Sequence, residues 1–239
     1  MSRTRIGSLG RRLAAVAATL VLASSSQANL LTNGSFELGV NPPGPPADPF
    51  QVISTGNSAT LTGWTVGGAV GVDWIHSSYW QASQGNYSLD LNALGIGSVS
   101  QTFATTAGAT YAVKYDLSMN PDTNNTFPIP RVATVLATNA GDNTVLGQTN
   151  LNVPFNGFNS TFANMNWTPY GLTFTATGSS TTLAFISGND YAGGFALDNV
   201  SVVATSDPTP TPVPAPAGLL LGLVGVALAA RFRRRKVTA

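Results

Sequence analysis

Cysteine is absent, histidine occurs once (His76), and charged side chains make up only 9% of the 239 residues. Without thiols there is no disulfide framework, no thiolate nucleophile and no cysteine-based zinc site. No nucleophile motif surrounds a serine, no glycine-rich phosphate loop opens a helix, and no histidine–carboxylate metal set is present. These gaps count against an enzyme. Helical periodicity is nearly absent as well, and no apolar run reaches full bilayer length.

Basic residues are missing from the middle of the chain. The formal charge of +1 is made at the ends, because only Lys114 and Arg131 of the eleven bases fall within residues 29–204. Two bases against nine acids leave that segment at −7. A domain of this sign repels phosphate backbones, so nucleic acid is not an expected partner.

The two ends carry their own signals. Arg3, Arg5, Arg11 and Arg12 precede an uncharged apolar run from Leu13 to Ala23, and small residues follow to Ser26-Gln27-Ala28. Basic, apolar and small-x-Ala regions in that order predict a secretory signal peptide over residues 1–28, cut after Ala28. An uncut N-terminal anchor is the other reading. At the far end Ala217 to Ala230 is uncharged and is followed at once by Arg231, Arg233, Arg234, Arg235 and Lys236. Such a cluster is expected to stay cytoplasmic. The apolar stretch reaches only about 21 Å as a helix, against a hydrocarbon core of about 30 Å, which suits a transient, processed membrane anchor better than a permanent one. A buried core helix is the alternative. Between domain and tail, residues 205–216 (TSDPTPTPVPAP) predict an extended Pro/Thr stalk.

What remains is rich in Thr, Ser, Asn, Gly, Val and aromatics. Alternation is plain in Tyr87 to Leu91, Val99 to Phe103, Tyr111 to Leu117 and Leu172 to Ala176. Further strands are expected over Thr60 to Val66, Val70 to Ile75, Val132 to Thr138, Thr181 to Ser187 and Phe195 to Val203. About ten short strands, each burying one face, predict an all-β domain over residues 29–204, an antiparallel two-sheet jelly-roll sandwich. Asn41 to Asp48 and Asn120 to Pro130, rich in proline and turn formers, are expected to be loops.

Several residues are candidates for chemistry. Aromatics cluster at Trp64, Trp74, Tyr79 and Trp80, with Trp167 and Tyr170 later. Flat sugar faces stack on such rings, and Asp73, Gln81, Gln84 and Asn86 could bond hydroxyls. Tyr79, Trp80 and Tyr191, the last in an expected loop at Gly188 to Tyr191, are the best glycan-stacking candidates; sandwich core is the competing fate of each tryptophan. A glycosidase needs only two carboxylates at suitable separation, and Asp73 with Asp90 would serve in principle. Asp90, in an alternating strand, is expected to face solvent.

The tail Val213-Pro214-Ala215-Pro216-Ala217, with its Leu/Gly/Ala run and arginine-rich end, resembles the PEP-CTERM sorting signal. Ala215 stands where that family usually has Glu. The resemblance implies Pro214, Pro216 and the arginines Arg231, Arg233, Arg234 and Arg235 as sorting residues. It also implies an exosortase as processing partner, and the surface or matrix of a Gram-negative bacterium as destination. The domain is similar to the choice-of-anchor C family in Leu30 to Glu37, Gly63-Trp64-Thr65-Val66, Val72 to Ile75, Tyr79 to Ala82, Gly85 to Leu91, Ser100 to Phe103 and Ala196 to Val202. That resemblance implies a galactose-binding-like jelly roll, as in carbohydrate-binding modules, and a structural calcium where first and last strands meet. Glu37 and Asp198 would then be ligands, with Asn33 contributing an oxygen; hydrogen-bonded turn and strand ends are the alternative. The expected function is a non-catalytic exported surface or matrix protein, with a carbohydrate-binding module for an exopolysaccharide as the alternative and a glycoside hydrolase as the third reading.

Overall fold

The computed structural model describes residues 28–123, 130–154 and 157–206. The expected signal peptide, the tail and most of the stalk, including Pro214, Pro216, Arg231, Arg233, Arg234 and Arg235, lie outside the described residues. Among those described, no helix is long and apolar enough to cross a membrane.

Among the described residues eleven strands build two antiparallel sheets packed face to face. They are β1 (Phe50–Ile53), β2 (Thr65–Gly68), β3 (Val72–His76), β4 (Tyr87–Asp90), β5 (Gly97–Ala104), β6 (Thr110–Met119), β7 (Arg131–Asn139), β8 (Val145–Val153), β9 (Thr168–Thr175), β10 (Ser180–Ser187) and β11 (Phe195–Ser206), with a short 3-10 turn at Pro121–Thr123. One sheet runs β1-β3-β4-β11-β6-β9 and the other β2-β5-β10-β7-β8. The result is the all-β jelly-roll sandwich that the alternation predicts.

The core follows from that alternation. Val99 and Phe103 of β5, Leu183 and Phe185 of β10 and Val135 of β7 point inward from one sheet. Trp74, Leu89, Val113, Tyr115, Leu117 and Leu197 meet them from the other. The rings of Tyr115 and Phe185 lie 5.1 Å apart, edge to face. Each such aliphatic or aromatic side chain contributes about 1.5–3 kcal/mol on burial, and this packing holds a domain that has no disulfides.

Strand β11 lies in the middle of its sheet, between β4 and β6. Its register shifts between Asp198 and Ser201, and Asn199 takes a positive φ of 52°. The extra residue of this bulge lets both Leu197 and Val200 face the core although they are three positions apart. The N-terminal segment is fastened to the same strand. Leu30 N–H donates to Val202 O (2.9 Å), Val200 N–H to Gly34 O (2.8 Å), and Val202 N–H to Asn29 Oδ1 (2.9 Å). Only glycine fits at position 34, since a Cβ there would sit 1.9 Å from Val200 O. The indole N–H groups of Trp64 and Trp74 donate to Asn33 O and Phe36 O of this segment, at 2.9 and 3.0 Å.

Two strands lie outside the expected set. β8 is an edge strand with mostly exposed or half-buried residues, so it has little apolar alternation to display. β1 is four residues long and follows the proline-rich stretch. The strand expected over Thr60 to Val66 begins only at Thr65. The Asn57 carboxamide oxygen accepts from the N–H groups of Ala59 and Thr60, and Trp64 N–H donates to Leu61 O, which turns the chain instead.

An acidic, aromatic cleft on the six-stranded sheet

Trp74 and Leu89 face the core, so Asp73 and Ile75 of β3 and Ser88 and Asp90 of β4 face the opposite way. That outer face is covered rather than open. The stretch 77–86 and the stretch 158–167 fold over it and build a second small apolar cluster of Ile75, Trp80, Met165 and Ala196, with Tyr79 and Trp167 packed against it. Trp80 Nε1 donates to Ser88 Oγ (2.8 Å), Trp167 Nε1 to Gln81 O (2.9 Å), and the Ser118 hydroxyl to Met165 O.

Beside this cluster opens a cleft of about 240 Å³. Phe50 and Val52 of β1, paired with Ile75 and Asp73, form one apolar wall, and Leu94 forms another. Phe50 is 38% exposed and Leu94 75%. The Tyr79 ring stands 5.3 Å from the Phe50 ring, and its hydroxyl donates to Asp122 Oδ2 at 2.8 Å. Burial, followed by the hydrogen bond to Asp122, pushes the Tyr79 phenol up to about 12. Asp73, Asn120 and Asp122 supply the polar lining.

Asp73 and Asp90 sit directly opposite each other in the β3–β4 register, an arrangement in which like charges repel. Asp90 is 1% exposed, which corrects the expectation of a solvated residue; the segments at Asn92, Asn120 and Gly194 that bond its carboxylate, invisible to strand alternation, are the reason. It accepts from Asn120 Nδ2 (2.6 Å), Asn92 N–H (2.9 Å) and Gly194 N–H (3.1 Å). Burial still pushes its carboxyl up to about 6, against those three bonds and the Arg131 charge. Burial, and then the charge of Asp90, push Asp73 up to about 7, and its Oδ1 is buried with no hydrogen-bond partner. The cleft therefore sets the carboxylates of Asp73 and Asp122 beside an aromatic wall.

The residues singled out in the sequence separate into three places. Tyr79 lines the cleft. Trp80 is 1% exposed and forms part of the cleft's base; its ring face is packed, not displayed, which corrects the stacking expectation. Tyr191 lies apart, under Arg131, whose guanidinium is 4.8 Å from its ring centroid and donates to its hydroxyl at 2.8 Å. His76 Nδ1 pairs with Ser78 Oγ and accepts from Ser78 N–H, a turn contact.

Glu37 and Asp198 do come near each other, around the stretch Ser83 to Tyr87. Glu37 Oε1 accepts from the N–H groups of Asn86 and Tyr87, both at 2.9 Å. Asp198 Oδ2 accepts from Ser83 and Gln84 N–H, both at 2.8 Å, and Oδ1 from Asn199 N–H at 2.6 Å. Burial leads in raising Asp198 to about 8, and the charge of Glu37 adds to it. Asn33 is turned elsewhere, bonding Leu38 N–H and the carbonyls of Leu38 and Thr62. Among the described residues no group of three or more His, Cys, Asp or Glu is arranged to hold a metal ion. These oxygens grip backbone N–H groups.

Phe50, Val52, Asn120 and Asp122 escaped sequence reasoning because they lie at the margins of the two proline-rich stretches. An aromatic residue placed just after Pro49 was the available signal.

Residues 29–203 match the family described as a protein of unknown function (DUF642), and the chain belongs to that family. It is 30% identical over 191 residues to Halomucin of Haloquadratum walsbyi, covering 77% of this chain but only 2% of that far longer protein. Among solved structures it is similar to the CBM22 xylan-binding domain of Paenibacillus barcinonensis (16% identity, 77% of this chain and 99% of that one, TM-score 0.44). A family 61 carbohydrate-binding module in complex with β-1,4-galactotriose gives 16% identity, 74% and 99% coverage and a TM-score of 0.42.

Proposed function

We propose that this domain is the non-catalytic, carbohydrate-binding part of an exported surface or matrix protein, and that its ligand is a polysaccharide. One observation carries the reading: an aromatic wall of Phe50 and Tyr79 stands beside the Asp73 carboxylate in the lining of one cleft. Sugars offer both complements, an apolar ring face and hydroxyl donors. At about 240 Å³ the cleft lies just below the usual range of small-ligand sites, which suits a short stretch of a chain. Hydrolysis is disfavoured because Asp90, the natural second carboxylate, is held by three donors away from any substrate.

The test is titration of the protein with a panel of neutral and acidic oligosaccharides, repeated with Phe50→Ala and Tyr79→Ala. Binding that both variants abolish, without release of reducing ends, supports the reading; no binding by any member sinks it.

Export by residues 1–28, and sorting through the PEP-CTERM-like tail by an exosortase-type enzyme in a Gram-negative envelope, belong to the same proposal. Their support is the sequence of the termini. Deleting Arg231 to Lys236 should impair membrane retention of the precursor, because the stop-transfer charges go with it. Unchanged fractionation would refute that part alone.

A further inference from the structure

We infer that the cleft selects neutral glycans over glycans bearing carboxylate or sulfate groups, and that Asp73 is the residue that sets this choice. The inference rests on the glycan-binding reading above and names the ligand class for the same site.

Three observations converge. First, the polar lining is Asp73, Asn120 and Asp122, with Asp90 paired to Asp73 on the neighbouring strand, and among the described residues no Lys or Arg lines the cleft. Second, counter-charge is out of reach. Of the two bases in the described residues, Arg131 is 0% exposed and engaged with Tyr191, and its charge acts on Asp90 rather than on the ligand side. Lys114 is paired with Ser201, whereas Ser118, four positions further along β6, is the residue level with Ala196 and Asp90. By strand geometry that is about 14 Å along the sheet and three strands across from Asp73, well beyond a Debye length of about 8 Å. Third, when ionised the Asp73 carboxylate in the cleft lining can only accept, so a ligand group that meets it must donate. A sugar hydroxyl donates. A uronate or sulfate oxygen cannot, and it would bring a further negative charge against three carboxylates. The specificity thus comes from what the site repels as well as from what it binds.

The groups facing Asp73 are Asp90 from β4, Tyr79 from the covering stretch and Asp122 from the 3-10 turn, and all are acidic or neutral. The discrimination is strongest with Asp73 ionised, so the measurement belongs at pH 8. There the full chain is titrated calorimetrically with cellohexaose, xylohexaose and hexagalacturonate. The expected result is binding of at least one neutral hexamer, with hexagalacturonate weaker by tenfold or more. Asp73→Asn should weaken the neutral ligand by about tenfold and narrow the gap to hexagalacturonate, because Asn removes a charge and offers an N–H donor. Phe50→Ala should abolish binding and so locate it in the cleft.

Hexagalacturonate binding as tightly as the neutral hexamers, and lost in Phe50→Ala, overturns the inference while leaving glycan binding intact. A gap that Asp73→Asn leaves unchanged overturns the role of Asp73. Absence of binding across both ligand classes overturns the inference together with the reading beneath it.

Discussion

Asp73→Asn should make the protein more stable, and only at higher pH. Burial and the facing charge of Asp90 raise the Asp73 carboxyl to about 7 in the folded state, from 3.8 when unconstrained. Between those two values the folded protein holds a proton that the unfolded chain has released. Stability therefore falls as pH rises through about 4 to 7, and levels off above. At about 1.4 kcal/mol for each unit, a shift of this size gives a ceiling of about 4 kcal/mol. Water at the cleft mouth and relaxation of Asp90 lower the expected figure to about 2 kcal/mol. For a domain of this size that is about 4–8 °C in melting temperature. At pH 8 the Asn variant should melt higher by that amount, and at pH 3, where Asp73 is protonated in both the folded and the unfolded chain, the two should coincide within about 1 °C. The assay is thermal unfolding at the two pH values. An equal difference at both, or none at pH 8, refutes the account of a strained carboxylate. The same variant is expected to bind ligand less well, a pairing of gained stability with lost function that marks a site residue.

Trp80→Phe removes the indole donor to Ser88 Oγ from a fully buried position and should cost about 2 kcal/mol in urea unfolding; a neutral result would deny Trp80 its place as the cleft's base. Gly34→Ala, which forces a methyl to within 1.9 Å of Val200 O, should destabilise by more than about 3 kcal/mol or prevent folding. Gly56→Ala, with open space around its Cβ but a φ of +84°, should cost only about 1 kcal/mol. Asp198→Ala strips the acceptor from three backbone N–H groups and should cost about 2–4 kcal/mol, equally in calcium and in chelator. A calcium-dependent rise in melting temperature that vanishes in this variant would instead establish Glu37 and Asp198 as metal ligands.

The sandwich was legible because most of its strands alternate cleanly. Val99 to Phe103 and Thr181 to Ser187 bury every second side chain, and the pattern is visible without coordinates. Edge position hid β8, whose Gln148, Asn150 and Asn152 face water and whose inward residues, Leu151 apart, are only partly covered. The cleft was half legible. Tyr79, Trp80 and Asp73 stood out as residue types, but alternation says only that Asp73 and Asp90 leave the core. It does not say that a second layer, brought by stretches 77–86 and 158–167, closes over the outer face, or that Asn92, Asn120 and Gly194 enclose the Asp90 carboxylate. Covering layers of this kind depend on contacts such as Trp167 Nε1 to Gln81 O, 86 residues apart, and no local pattern encodes them.

The central place of β11 has a mechanical consequence. Traction entering at Ser206 runs along a strand laddered to β6 from Ser206↔Thr110 to Phe195↔Met119, so those bonds are loaded in shear and must fail together. From β11 the path to the cleft is short: Ala196 pairs with Asp90 of β4, and Asp90 with Asp73 of β3. The cleft and the C-terminal end of the domain thus belong to a single sheet, so a load applied at one reaches the other through strand pairing rather than through loops.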